Sequence, residues 1–293
     1  MRRRPGEMSA AVETKRLALR DVDLSYIEAG RGPRPFVLLH GLTGHRDDFR
    51  PCIPELADLG RVFVPDLRGH GDFTQTGREE TFTFAQLLTD TVALLDAWGV
   101  DRCHLLGHSF GGMVALRFAL VHPERVDSLI LMSTAPFSPE SYTREMFEKA
   151  AAIARERGMV FVQEIVEKVT KDRRELSRAD RQVEKWGGTY WPHHRLRYSA
   201  MDPVGYGTLG LAMVEQESVA GRLAEIQHST TVIVGADDED FLEGADALEA
   251  GISKARRVTI PDAGHHPQME NPEAWLAAVR GHFAWLDRGA GPG

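Results

Sequence analysis

Cysteine is scarce in this chain of 293 residues, with only Cys52 and Cys103 present. Neither sits in a CxxC or Cys/His spacing, which excludes a disulfide framework and a zinc site of ordinary pattern. An excess of cationic residues is missing as well. Lys and Arg number 35 against 43 Asp and Glu, for a formal net charge of −8, whereas phosphate binding relies on clustered Lys and Arg that release counterions. No nucleic-acid partner is expected. Long apolar runs are absent too: none reaches the roughly 18 residues that a membrane-spanning helix needs. The basic run Arg2 to Arg4 leads into Pro5-Gly6-Glu7-Met8-Ser9 rather than an apolar stretch, so it does not read as a secretion signal. These absences predict a protein of the reducing cytoplasm that engages no membrane.

A hydrophobic share of 42% supplies material for one large core. From Leu17 to Met132, short β-like runs bounded by Gly, Asp or Pro alternate with helical ones. The strands read as Arg16 to Arg20, Leu24 to Glu28, Phe36 to Leu39, Val62 to Pro65, Cys103 to Leu106 and Leu129 to Met132. Helices are expected near Asp47 to Leu59, Phe84 to Trp98 and Phe110 to Leu120. That rhythm predicts βαβ units and a mostly parallel sheet flanked by helices. From Ala135 to Ile226 the apolar spacing is helical throughout, as in Phe147, Ala150, Ala151, Ala154 and Val162, Ile165, Val166, Val169. The βα rhythm then returns with Thr231 to Val234, a helix near Leu242 to Ala250, the strand Arg257 to Ile260, and a helix from Pro272 to Leu286. An α/β core of residues 1–134 and 227–293, carrying an all-helical insertion at 135–226, is the expected organisation.

The run Cys103 to Leu106 leads into Gly107-His108-Ser109-Phe110-Gly111-Gly112 and then an apolar helix. This is the G-x-S-x-G pattern in its strand, turn, helix setting. A sharp turn there holds the serine at the C-terminal edge of the sheet, and small residues at 107 and 111 let strand and helix approach. A serine at a helix start can also be an ordinary N-cap. As a nucleophile it needs a histidine to take its proton and a carboxylate to hold the imidazole tautomer.

Five motifs in order resemble the α/β-hydrolase superfamily from Leu17 to about Leu286. His40-Gly41-Leu42-Thr43-Gly44 resembles its HGxxG oxyanion loop, and Asp66-Leu67-Arg68-Gly69-His70-Gly71 its DxRGxG turn. Gly107 to Gly112 resembles its nucleophile elbow, Gly235-Ala236-Asp237-Asp238 its acid turn, and Gly264-His265 its histidine turn. The resemblance implies the α/β-hydrolase fold with Ser109 as nucleophile and His265 as base. It places the acid at Asp238, three residues past Gly235, with Asp237 as the alternative. It implies oxyanion donors at the backbone N–H groups of Leu42 and Phe110. His266 is expected to line the site, and His40 to matter through its backbone alone.

These residues imply acyl chemistry on a carboxylic ester or lactone, a small-molecule substrate, with no cofactor and no metal. The aromatic residues Trp186, Tyr190, Trp191, Tyr198 and Tyr206 of the insertion either pack it onto the core or line an apolar pocket. A carbon-carbon bond hydrolase stays open as an alternative, although Gly264-His265-His266 lacks the tryptophan usual in that group. So does a ligand receptor that retains the triad and turns over slowly.

Overall fold

Runs such as Phe36-Val37-Leu38-Leu39, apolar at consecutive positions, suit strands covered on both faces. The computed structural model, which describes residues 12–172 and 189–289, contains eight strands, the inner ones built from runs of this kind and the two edge strands more exposed. They are β1 (Thr14–Ala18), β2 (Asp23–Ala29), β3 (Pro35–Leu39), β4 (Arg61–Pro65), β5 (Cys103–His108), β6 (Val126–Met132), β7 (Ser229–Gly235) and β8 (Ala255–Ile260), in the spatial order β1-β2-β4-β3-β5-β6-β7-β8. The β1 to β2 and β2 to β4 pairings are antiparallel, and the others parallel. Trp186 and the Gly-rich tail past residue 289 lie outside the described residues.

The helices are α1 (Ile53–Leu56), α2 (Phe84–Ala97), α3 (Phe110–Val121), α4 (Arg144–Arg157), α5 (Met159–Lys171), α6 (Tyr190–Ser199), α7 (Pro203–Glu215), α8 (Glu239–Gly251), α9 (Pro267–Glu270) and α10 (Pro272–Gly289). Alternate strand residues feed two layers, as a period of two requires. Val37, Leu39, Leu105, Leu129, Val232 and Val234 pack toward α2, α3 and α8. Phe36, Leu38, Leu106, Ile130 and Ile233 pack toward Phe49, Trp275, Val279 and Phe283 on the other face. Each side chain so buried contributes roughly 1.5–3 kcal/mol.

Two expectations shift. The helix expected at Asp47 to Leu59 is broken into 3-10 turns at Arg46–Asp48 and Arg50–Cys52 followed by the single turn α1. Pro51 and Pro54 deny it the N–H groups of a continuous helix. The first strand lies two residues earlier than expected, because Leu19 N–H turns back to the Val22 carbonyl at 2.8 Å.

Between β6 and β7 the described chain is helical, and α4, α5, α6 and α7 share a cluster of Ala154, Met159, Val162, Tyr198, Met201 and Tyr206. Thr143 opens α4 by accepting the Met146 N–H, and Asp202 opens α7 by accepting those of Val204 and Gly205, both common N-caps. No helix among the described residues is long and apolar enough to cross a membrane.

Parallel β3, β5, β7 and β8 all end at one edge of the sheet, so the loops carrying Leu42, Ser109, Asp238 and His265 open side by side. Close approach at this edge leaves no room at Gly107, where a Cβ would lie 2.4 Å from the Gly111 carbonyl oxygen and 2.6 Å from Gly112 Cα. Both obstacles are backbone. Gly107→Ala should therefore lower stability by about 1–3 kcal/mol, read as a reduced urea midpoint at unchanged slope; an unchanged midpoint would show that the turn can relax.

Candidate active site

Ser109 sits between β5 and α3 with φ 53° and ψ −120°, a backbone region that is costly for a residue with a side chain. Hydrogen bonds hold it there. Its N–H donates to the Met132 carbonyl at 2.9 Å, and its own carbonyl accepts from the Thr134 hydroxyl at 2.7 Å and from Gly112 N–H at 2.9 Å. The Ser109 side chain makes no N-cap bond to α3. Its Oγ instead lies 2.9 Å from His265 Nε2, so helix capping does not account for this serine.

Asp238 and His265 come from the ends of β7 and β8. His265 Nδ1 lies 3.1 Å from Asp238 Oδ1 and 3.3 Å from Oδ2. A carboxylate can only accept, so Nδ1–H donates and Nε2 is left to accept the Ser109 hydroxyl proton. Burial alone would pull the His265 imidazole down, but the negative charge and hydrogen bond of Asp238 more than offset it, and the pKa is raised above 6.5. The ring also stacks on Phe241, with centroids 4.7 Å apart.

The turn bearing His265 is anchored by a group that the sequence did not single out. Glu270 Oε2 accepts the Gly264 N–H at 2.6 Å and the His266 N–H at 3.2 Å. On the other side, His108 Nε2–H donates to the His265 carbonyl at 2.7 Å. The peptide carrying the imidazole is thus gripped from both sides.

His40 also does more than its motif suggests. Leu67 N–H donates to its Nε2 at 2.9 Å, which leaves Nδ1–H to donate to the Gly41 carbonyl at 2.9 Å. His70 Nε2–H donates to the Leu42 carbonyl. Burial holds both imidazoles below their ordinary pKa. The Leu42 loop is therefore tied to the Asp66 to Gly71 turn, itself framed by Arg46 on Asp66 and by Arg68 on Asp90 at 2.7 Å and Asp21 at 2.8 Å. Neither Leu42 N–H nor Phe110 N–H donates to a backbone carbonyl among the described residues.

A cavity of about 550 Å³ meets these groups. Its lining includes Leu42, Ser109 and His265, apolar residues of α4 and α5, and also His266, Tyr198 and Tyr206. Tyr190 faces a neighbouring cavity of about 300 Å³ instead. Trp191 packs against Tyr190 and His194.

A second serine and histidine meet elsewhere, Ser128 Oγ and His282 Nε2 at 2.8 Å. Both are fully buried, and His282 Nδ1 faces the Thr231 hydroxyl at 2.8 Å rather than a carboxylate. Sealed between the sheet and α10, that pair cannot meet a substrate.

Among known proteins, the family model described as alpha/beta hydrolase fold matches residues 34–272. The chain is similar to the dihydrolipoyllysine-residue acetyltransferase component of the acetoin cleaving system of Cupriavidus necator, 29% identical over 95% of this chain and 71% of that one. It is also similar to 2-hydroxymuconate semialdehyde hydrolase of a Pseudomonas species, 26% identical over 87% of this chain and 89% of that one. A thermophilic esterase from Thermogutta terrifontis matches in structure with a TM-score of 0.78 at 26% identity, covering 94% of this chain and 98% of that one.

Glu270 generates a test of the anchor. Burial pushes its carboxyl from an ordinary 4.5 up to about 7, against the pull of the Gly264 N–H, the His265 charge and the His266 N–H. The native state then holds this proton more tightly than the unfolded chain, so its contribution to stability falls as pH rises from 4.5 to about 7. Glu270→Gln cannot ionise and escapes that loss. Relative to wild type, E270Q should gain up to about 3 kcal/mol between pH ~4 and pH ~8, measured by urea unfolding; a gap independent of pH would refute the assignment.

Proposed function

Because the chain belongs to the alpha/beta hydrolase fold family, we propose that it is a serine hydrolase cleaving a carboxylic ester or lactone through an acyl-enzyme on Ser109. The observation that carries this reading is the unbroken line from Ser109 Oγ through the His265 ring to Asp238, at 2.9 and 3.1 Å, beside a cavity of about 550 Å³. Spacing this short serves proton transfer from a nucleophile to a base held in one tautomer.

In the proposed reaction Ser109 Oγ bonds to the substrate carbonyl carbon while His265 Nε2 takes the hydroxyl proton. The carbonyl electron pair moves onto oxygen, where the N–H groups of Leu42 and Phe110 receive it. Each such donor is worth roughly 3–4 kcal/mol in the transition state. Collapse expels the alcohol oxygen, which takes the proton from His265. Water, deprotonated by the same ring, then releases the acid and restores Ser109. Asp238 stabilises the imidazolium at both stages. The segment 135–226 serves as a lid over the core of residues 1–134 and 227–293, and the apolar residues of α4 and α5 that line the cavity receive the substrate.

Similarity to the semialdehyde hydrolase over 87% of the chain favours a second reading, cleavage of a carbon-carbon bond by the same groups. The ester reading is preferred on the likeness to the thermophilic esterase and on His266 beside His265.

Ser109→Ala should lower turnover of a short-chain 4-nitrophenyl ester by roughly 10⁴-fold or more with an unchanged melting curve; retained turnover would sink the assignment of Ser109. Asp238→Asn should lower kcat by roughly 10⁴-fold, whereas Asp237→Asn should not, and the reverse result would move the acid to Asp237. Since the base must be neutral and its pKa is raised above 6.5, kcat/KM should climb with pH through an inflection above 6.5. An inflection below that value would show that Asp238 does not hold the imidazole.

A further inference from the structure

The cavity beside Ser109 contains a buried cation that the reaction above does not use. Arg197, on α6, lines that cavity and is only 2% exposed. Its Nη1 lies 3.5 Å from Asp48 Oδ2, close enough to balance charge but too long for a good hydrogen bond. Neither Nη1 nor Nε of Arg197 has a hydrogen-bond partner among the described residues.

Asp48 is in the opposite condition. Fully buried at the end of the first 3-10 turn, it accepts His193 Nε2–H at 2.7 Å on Oδ1 and His45 N–H at 3.1 Å on Oδ2. The carboxylate has its donors, while two of the three guanidinium nitrogens, Nε and Nη1, lack acceptors among the described residues. Charge is thus already matched across this pair, and what remains unmatched is hydrogen bonding. An additional anion would be placed against Asp48 in a low-dielectric cavity, which is costly. An alkyl group would seal off donors that nothing satisfies, which is costly too. A neutral oxygen avoids both penalties. The rest of the lining suits an otherwise apolar molecule, with Met146, Ile153, Val162 and Ile165 contributed by α4 and α5.

We propose that Arg197 is a specificity-determining residue that binds a neutral oxygen acceptor, a ketone or hydroxyl oxygen, carried by an otherwise apolar substrate away from the scissile carbonyl. The inference rests on the serine hydrolase reading and narrows its substrates to oxo- or hydroxy-substituted esters or lactones. A site designed around hydrogen bonds rejects analogues lacking the partner more strongly than an apolar pocket rejects an added group.

The test compares two matched pairs of esters. One varies the acyl part, 4-nitrophenyl hexanoate against 4-nitrophenyl 5-oxohexanoate. The other varies the alcohol part, pentyl acetate against 4-oxopentyl acetate, followed by acid release. In the wild-type chain the oxo member of at least one pair should be favoured by about tenfold in kcat/KM, mainly through KM. Arg197→Met should bring that ratio close to one. Should R197M fail to fold, Arg197→Lys, which keeps the charge opposite Asp48 and changes the donor geometry, should still reduce the ratio severalfold.

No preference in either pair would overturn the proposal, as would a variant that lowers both members of a pair by the same factor. A 4-nitrophenyl ester of glutaric acid, with its free carboxylate, should be poorer than the oxo ester. If it is the best substrate, the site binds anions and the proposal fails. Ester hydrolysis that depends on Ser109 but ignores the oxo group would leave the serine reading standing and remove only this one. Absence of all ester hydrolysis would remove both.

Discussion

Ser109 is held in a conformation that an isolated residue would abandon. With φ at 53°, its backbone carries strain on the order of 1–3 kcal/mol, and the surroundings must outweigh it. They do so by proximity: Gly107 against Gly111 and Gly112, Gly111 against the Leu39 and His40 carbonyls, and Gly112 against Thr134. Each glycine admits a neighbour where a Cβ would collide. The bonds from Met132, Thr134, Gly112 and Met113 then hold both ends of the serine peptide. The hydroxyl is consequently presented at the sheet edge without the freedom to rotate back into a helix cap.

The same economy of backbone positioning extends to the neighbouring loops. Buried histidines act there as connectors: His40 uses both nitrogens to join Leu67 to Gly41, and His108 uses Nε2 to tie β5 to the His265 peptide. Each uses one nitrogen as donor, so the tautomer is dictated by the partner. Polar groups of this kind are stabilising only when fully satisfied. His40 meets that requirement at both nitrogens, whereas Nε and Nη1 of Arg197 find no acceptor among the described residues.

Much of this organisation was readable from the amino acids alone, for identifiable reasons. Doubly covered strands leave continuous apolar runs, so β3, β5, β6 and β7 could be located within a few residues. The elbow and the two later turns are local in sequence, so Ser109, Asp238 and His265 could be named, and they lie together in the folded chain. The function of His40 could not be read, because it depends on an N–H group 27 residues away. Glu270 was missed although it lies close to His265, since nothing in a lone acidic residue tells that its oxygen turns back to two amides. The aromatics of α6 gave no orientation either. Tyr190, Trp191, His193, His194 and Tyr198 surround that helix with rings, leaving no apolar stripe whose direction periodicity could reveal. The broken helix after His45 is the reverse case: Pro51 and Pro54 are local in sequence, and their missing N–H groups interrupt the run.

The order in which the chain supplies these groups has its own consequence. Ser109 and its imidazole partner are 156 residues apart, and the whole segment between β6 and β7 is interposed. A growing polypeptide thus contains the elbow and the loop of Leu42 long before it contains the imidazole that is proposed to draw off the hydroxyl proton. On the proposed reading a chain that ends before residue 265 has no base, and the site is complete only when β7 has paired with β6 and β8 with β7. Reactivity on that reading waits for the last two strands to take their places at the sheet.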